Sequence, residues 1–245
     1  MLTARKRERS SVRRARKTRG FFVILALAVI MIFLFNWGYP KVSEAGQRAI
    51  ASLTGEPGPK AASSQSSIVE SDLMLVNDDN LLAYGFTPSD LLNLYALPWR
   101  SFELMEDSMY MKSDAAYAMQ EMFDAAQNEG EFGFIITSAY RSYTEQTALY
   151  ALNQSGSVAR PGASEHHSGL AFDVGSLYND AFEETGQYRW LIEHCADFGF
   201  ILRFPAGKED VTGRPFEPWH FRFVGTPYAQ EIMSAGLTLE EYMEQ

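Results

Sequence analysis

The sequence predicts an α+β body behind an apolar N-terminal segment. Helical and strand-like runs both occur between residues 72 and 245, without the regular alternation of βαβ units. The strand-like runs are short and place single polar residues among apolar ones, as in "LAFDV" and "WHFRFV". Capping residues and glycines bound several of the helical runs.

The N-terminal elements come first. Residues 1–20 hold nine Lys or Arg and one Glu, a net of +8, while the whole chain carries a formal −10, so everything after residue 20 sums to −18. "FFVILALAVIMIFLFNW", Phe21 to Trp37, contains no charge. As a helix it would span about 26 Å, close to a bilayer core of roughly 30 Å. The basic flank puts the N-terminus in the cytoplasm and the body outside, with Trp37 and Tyr39 at the far interface. A cleaved signal peptide is the alternative, with Ser43-Glu44-Ala45 as a weak cleavage-like site. The apolar run exceeds the usual length of about 7–15 residues, which favours an anchor. The expected organisation is a basic cytoplasmic tail (1–20), a single transmembrane anchor (21–39), a flexible linker (40–71) and a catalytic domain (72–245). "SEAGQRAIASLTGEPGPKAASSQSS" gives the linker its Ser, Ala, Gly and Pro character. The acidity of the body argues against a nucleic-acid partner, and nothing marks an obligate protein partner.

In the body, "SDAAYAMQEMFDAAQNEG" has apolar residues at 115, 118, 119, 122, 123 and 126, a helical face with Ser113 as cap and Gly130 as stop. "FGFIITSAY" reads as a buried strand ending near Ser138, and "SYTEQTALYALNQ" as a helix. "LAFDV" is a short strand. "QYRWLIEHCADFGF" is a helix entering the strand "ILRF", and "WHFRFV" is the last strand. Thr226-Pro227 is expected to open a helix as cap and first residue, ended by Gly236. Thr238 and Glu241 form a capping-box pattern. Cys195, the only cysteine, shares a helical face with Leu191 and Phe198 and reads as a core thiol.

Strand alternation points to a site. In "LAFDV", Leu170, Phe172 and Val174 face one way, and Ala171 and Asp173 the other. In "WHFRFV", Trp219, Phe221 and Phe223 face the core, and His220 and Arg222 the opposite side. A carboxylate there requires water or a cation, because burying it alone is costly. His166 or His167, in "GASEHHSGLAFDVG", could supply a third donor. Neighbours in an extended segment point apart, so one of the pair is expected to ligate. Two His and one carboxylate with a position left for water form a catalytic zinc pattern. Glu217, three residues before His220, is placed for a general base.

"SEHHSGLAFDV" matches the pattern SxHxxGxAxD, and "EPWH" matches a second, downstream element. With "SAYRSYTEQ", "LMLVN", "GFILRFPAGKEDVTGRPFEPWHFRFVG" and "GLTLEEY", the chain resembles the VanY-type D-alanyl-D-alanine carboxypeptidases over roughly residues 72 to 243. That resemblance implies one Zn2+ held by His166, Asp173 and His220, with His167 at a non-ligand position. It implies Glu217 as catalytic base, Arg141 on the scissile carbonyl, and Gln146 and Ser164 holding the substrate's terminal region. The implied fold is a small antiparallel sheet flanked by helices, shared with the Hedgehog signalling domain. The implied substrate is a peptidoglycan stem pentapeptide ending in D-Ala-D-Ala. Two alternatives stand: an L,D-carboxypeptidase acting on tetrapeptide stems, and a non-catalytic cell-wall-binding module. The latter would be marked by loss of Glu217 or a ligand, and all are present.

Overall fold

The computed structural model describes residues 72–153, 158–179 and 181–245. The expected tail, membrane span and linker (residues 1–71) lie outside the described residues. Among the described residues, no helix is long and apolar enough to cross a membrane.

Strands β1 (Leu91–Asn93) and β3 (Tyr110–Lys112) form a two-stranded antiparallel sheet. A five-stranded sheet has the order β2-β4-β5-β7-β6, with β2 at Phe102–Leu104, β4 at Phe134–Ser138, β5 at Ala171–Ser176, β6 at Phe200–Leu202 and β7 at His220–Phe223. The fold is α+β as expected, but the sheet is mixed and not antiparallel throughout. β2 runs parallel to β4, and the other three pairings are antiparallel. A parallel neighbour requires a crossover connection. Helix α1 (Ser113–Asn128) lies in that crossover between β2 and β4.

The apolar stripe of α1 forms as its spacing predicts: Ala115, Met119, Met122, Phe123 and Ala126 are fully buried. Phe123 packs against Phe102, Phe134 and Phe172, which joins the helix to β2, β4 and β5. Phe172 stacks on Phe221 across β5 and β7, with ring centroids 5.8 Å apart. Leu170, Phe172, Val174, Phe221 and Phe223 thus all belong to one core, as the alternation requires. Cys195 is buried in the same core, and burial pushes its thiol up to about 12, as an inert packing residue.

Several element ends differ from expectation. Ser113 is the first residue of α1 and not its cap; its hydroxyl donates to Asp90, 3.2 Å away. The helix expected over "QYRWLIEHCADFGF" splits into α3 (Gly186–His194) and a 3-10 turn (Cys195–Phe198) before Gly199 at φ 82°. The loop after β6 holds a one-turn helix, α4 (Glu209–Thr212). Gly225 caps α5 (Thr226–Ala235), one residue earlier than Thr226, and Gly236 ends it. The capping box of α6 (Leu239–Met243), between Thr238 and Glu241, forms as predicted. Trp219 is 42% exposed and not in the core, because it lies just before β7 begins.

Candidate active site

Adjacent antiparallel strands bring the donors together. Asp173 of β5 stands directly opposite His220 of β7, and Ser138 at the end of β4 flanks Asp173 on its other side. His166 arrives from a 3-10 turn (Glu165–Ser168) that ends at Gly169. Candidate ligand atoms of His166, Asp173 and His220 all lie within 4.8 Å of one another. His166 Nε2 is 3.3 Å from Asp173 Oδ2, and His220 Nδ1 is 2.8 Å from Asp173 Oδ1. The two imidazole planes are nearly perpendicular, at 89°, with ring centroids 5.0 Å apart.

Hydrogen bonds distinguish the two neighbouring histidines. His166 Nδ1 lies 2.7 Å from the Ala139 carbonyl, which can only accept, so the proton sits on Nδ1 and Nε2 keeps its lone pair for the site. His167 points elsewhere. Its Nδ1 donates to the Arg141 carbonyl at 2.7 Å, its Nε2 accepts from Gly162 N–H at 3.1 Å, and its ring stacks on Tyr143. Both of its nitrogens are engaged away from Asp173.

The three donors perturb one another. Burial opposes ionisation of Asp173, but the two imidazoles beside it reverse that and hold its carboxyl far below the usual range. Burial pulls His166 down, only partly offset by Asp173. Burial also works against charge on His220, yet its hydrogen bonds to Asp173 and Glu165 outweigh this and push it up to about 9.

Glu217, Arg141, Gln146, Ser164 and Trp219 line the same cavity of about 370 Å3 as the three donors. Glu217 lies outside the donor cluster. Its backbone is fixed by Glu217 N to the Phe204 carbonyl (3.1 Å) and by His220 N to its own carbonyl (3.1 Å), and Arg214 Nη2 donates to its carboxylate at 3.2 Å. Arg141 follows β4 and is braced twice: Nη1 donates to Gln146 Oε1 at 2.8 Å and Nη2 to Ser138 Oγ at 2.6 Å. Gln146, on α2 (Tyr143–Leu152), also donates to the Ala159 carbonyl at 2.6 Å. Gln146 therefore orients the guanidinium in this conformation, an arrangement that residue spacing does not reveal. Burial lowers the Arg141 pKa, offset by Asp173, and a guanidinium remains charged.

Sequence reasoning missed the ion cluster behind the donors. Glu165, Arg203 and Arg222 are fully buried, and Glu240 nearly so. Glu165 Oε1 accepts from Arg203 Nε and Arg222 Nη1, each at 2.7 Å, while Arg203 makes two bonds to Glu240 at 2.8 and 2.6 Å. The available signal was an arginine in each of two largely apolar strand runs, "ILRF" and "WHFRFV". Such residues are almost never buried unpaired. Around Arg222 the side of β7 opposite the core is therefore closed and polar, while His220 on the same side borders the cavity.

Two histidines and a carboxylate converging on one point, with a separate glutamate and a guanidinium on the same cavity wall, compose the donor set of a mononuclear metallohydrolase. Comparison with known proteins narrows that class. The VanY family, D-alanyl-D-alanine carboxypeptidase, matches residues 108–226. A D-alanyl-D-alanine carboxypeptidase of Enterococcus faecium is 30% identical over 238 residues, covering 90% of this chain and 78% of that one. Among solved structures, the LdcB LD-carboxypeptidase is 37% identical with a TM-score of 0.64, covering 71% of this chain and 86% of LdcB. A D,D-pentapeptidase VanY from a VanB-type resistance cassette, in complex with Zn(II), is 32% identical with a TM-score of 0.56, covering 70% and 98%. The chain belongs to the VanY D-alanyl-D-alanine carboxypeptidase family and is a carboxypeptidase of the hydrolase class.

Proposed function

We propose that this protein is a membrane-anchored, zinc-dependent D,D-carboxypeptidase that removes the terminal D-Ala from peptidoglycan stem pentapeptides. The observation that carries the reading is the convergence of His166, Asp173 and His220 in one cavity with Glu217 and Arg141. The donor set fits zinc: two imidazole nitrogens and one carboxylate, with cavity space left for water and substrate. The Zn(II) complex of the similar VanY supports the choice of ion.

Zinc, when bound there, supplies Lewis acidity toward a water and the scissile carbonyl. Glu217 accepts the proton of the attacking water and delivers it to the leaving amine. Arg141, held by Gln146 and Ser138, donates to the carbonyl oxygen as negative charge develops on it. Ser164, beside His166 on the cavity wall, contacts the terminal D-Ala region, and Gln146 serves that region by aiming Arg141. The products are free D-Ala and a shortened stem.

The anchored location rests on residues 1–39, the basic tail followed by the uncharged run. A Gly/Ser-like linker of the length expected over 40–71 would have a mean reach of roughly 30 Å. That would keep the cavity near membrane-proximal wall, where new pentapeptide stems are presented. Membrane fractionation of the full chain tests this; recovery in the soluble fraction, unprocessed, would refute the anchor.

A second reading, L,D-carboxypeptidase action on tetrapeptide stems, is favoured by the likeness to LdcB. One assay separates the two. The full chain is incubated with pentapeptide and tetrapeptide stems and the products are identified by mass. Loss of one D-Ala from the pentapeptide supports the D,D reading; loss from the tetrapeptide alone replaces it with the L,D reading.

A further inference from the structure

The buried cluster behind the donors balances its charges without any metal. Glu165 and Glu240 face Arg203 and Arg222, two carboxylates against two guanidiniums. Glu165 nevertheless divides its oxygens. Oε1 takes both arginines, and Oε2 faces His220 Nε2 at 3.4 Å. The arginines are held from behind, Arg203 by Glu240 and Arg222 by the Met74 and Asp72 carbonyls, so the carboxylate has little freedom to turn. Arg222 lies two residues beyond His220 on the same side of β7, opposite Ala171. Glu165 itself immediately precedes His166. One short turn therefore provides one donor and contacts the back of another.

A metal-binding imidazole offers a lone pair from one nitrogen, so its proton must sit on the other. In His166 the Ala139 carbonyl settles this by accepting from Nδ1. In His220 the nitrogens are reversed. Nδ1 faces Asp173 and the donor cluster, and Nε2 faces Glu165. We propose that Glu165 is a positioning residue of the metal centre, accepting the Nε2 proton of His220 and so committing Nδ1 to the ion. The assignment rests on the zinc reading above. Carboxylates in this position orient the ring and raise its basicity, and losing one typically weakens metal affinity about 10- to 100-fold.

Glu165→Gln gives the sharper test because its two ends differ. Arg203 and Arg222 demand an acceptor, so the Gln carbonyl occupies the Oε1 position and its NH2 turns toward His220 Nε2. A donor there favours the opposite tautomer, with the proton on Nδ1. Zinc affinity of the full chain is measured by chelator competition, and the protonated ring nitrogen of His220 by 15N NMR of the zinc-loaded protein. The expected result is a fall in affinity of about 10- to 100-fold, with His220 protonated on Nε2 in the zinc-loaded wild type and, in Glu165→Gln, protonated on Nδ1 and released from the ion. Because the substitution leaves a buried guanidinium uncompensated, the double variant Glu165→Gln/Arg222→Met is measured beside it. Restored charge balance should return the unfolding midpoint of the metal-free protein toward wild type while zinc affinity stays low. Recovery of affinity together with stability in the double variant would overturn the positioning role, as would Glu165→Gln binding zinc within twofold of wild type. A wild-type chain that takes up no zinc would overturn the zinc reading itself, and this assignment with it.

Discussion

Replacing Gly169 by Ala should damage both the fold and the metal centre, and the structure sets the size of the effect. Gly169 ends the turn that carries His166 and leads into the strand that carries Asp173. It does so at φ 70° and ψ 8°, a left-handed conformation that costs an L-residue roughly 1–2 kcal/mol. Loss of unfolded-chain freedom offsets about 0.4–1 kcal/mol of that. Space adds a second cost. A Cβ on Gly169 would lie 3.0 Å from Leu91 Cδ2 and 3.3 Å from both Cγ and the backbone N of Lys112. The Lys112 N–H also donates to the Gly169 carbonyl at 2.8 Å, so the β1–β3 pair cannot simply withdraw. Such crowding typically costs about 1–3 kcal/mol. The sum is about 1–5 kcal/mol, centred near 3, and that centre corresponds to a fall in midpoint of roughly 6–12 °C for a body of this size. Gly236→Ala is the control: φ is 63° there, but no atom lies within 4 Å of the added Cβ, so strain acts alone. The control should lose about 1.6 kcal/mol or less. Urea unfolding of the metal-free full chain gives the two free energies, and chelator competition gives the two zinc affinities. Gly169→Ala should lose zinc affinity and Gly236→Ala should keep it. Equal destabilisation of the two variants would refute the steric argument.

Three further outcomes are expected. His166→Ala should abolish stoichiometric zinc and activity while His167→Ala retains zinc, read by elemental analysis; full zinc in the first variant would remove His166 from the ligand set. Glu217→Ala should keep zinc and lose turnover by about 10²- to 10⁴-fold, and Arg141→Ala should keep zinc and lose about 10²- to 10³-fold; a near wild-type rate in either would exclude the role assigned. The last concerns protons. His220 in the metal-free protein is raised to about 9, whereas His166 is lowered and Asp173 is ionised, so the ion must displace one proton below pH 9. Apparent zinc affinity should therefore rise by about tenfold per pH unit from pH 6 and flatten as pH passes the His220 value. Calorimetry at pH 6 in buffers of different ionisation heat should report release of close to one proton; no release would refute the assignment.

Local patterns alone determined a good part of this protein. The 3.6-residue spacing of α1 and the capping box of α6 involve neighbours a few residues apart, and they form as read. Alternation in β5 and β7 put Asp173 and His220 on the side away from Phe172 and Phe221, because side-chain direction in a strand is a local property. Strands β1, β2 and β3, three residues each, are too short for alternation to register, and the parallel pairing of β2 with β4 depends on a crossover that no short window contains. Periodicity left His166 and His167 equivalent. Only the fold separates them, by setting the Ala139 carbonyl against one ring and the Arg141 carbonyl and Gly162 N–H against the other. The ion cluster is likewise tertiary. Glu165 meets Arg203, Arg222 and His220 across 38, 57 and 55 residues of chain, and each buried charge is tolerable only with its partners in place. Chemical type is written in a residue, but the partner that fixes its proton, its charge and its direction is chosen by which distant strand packs beside it.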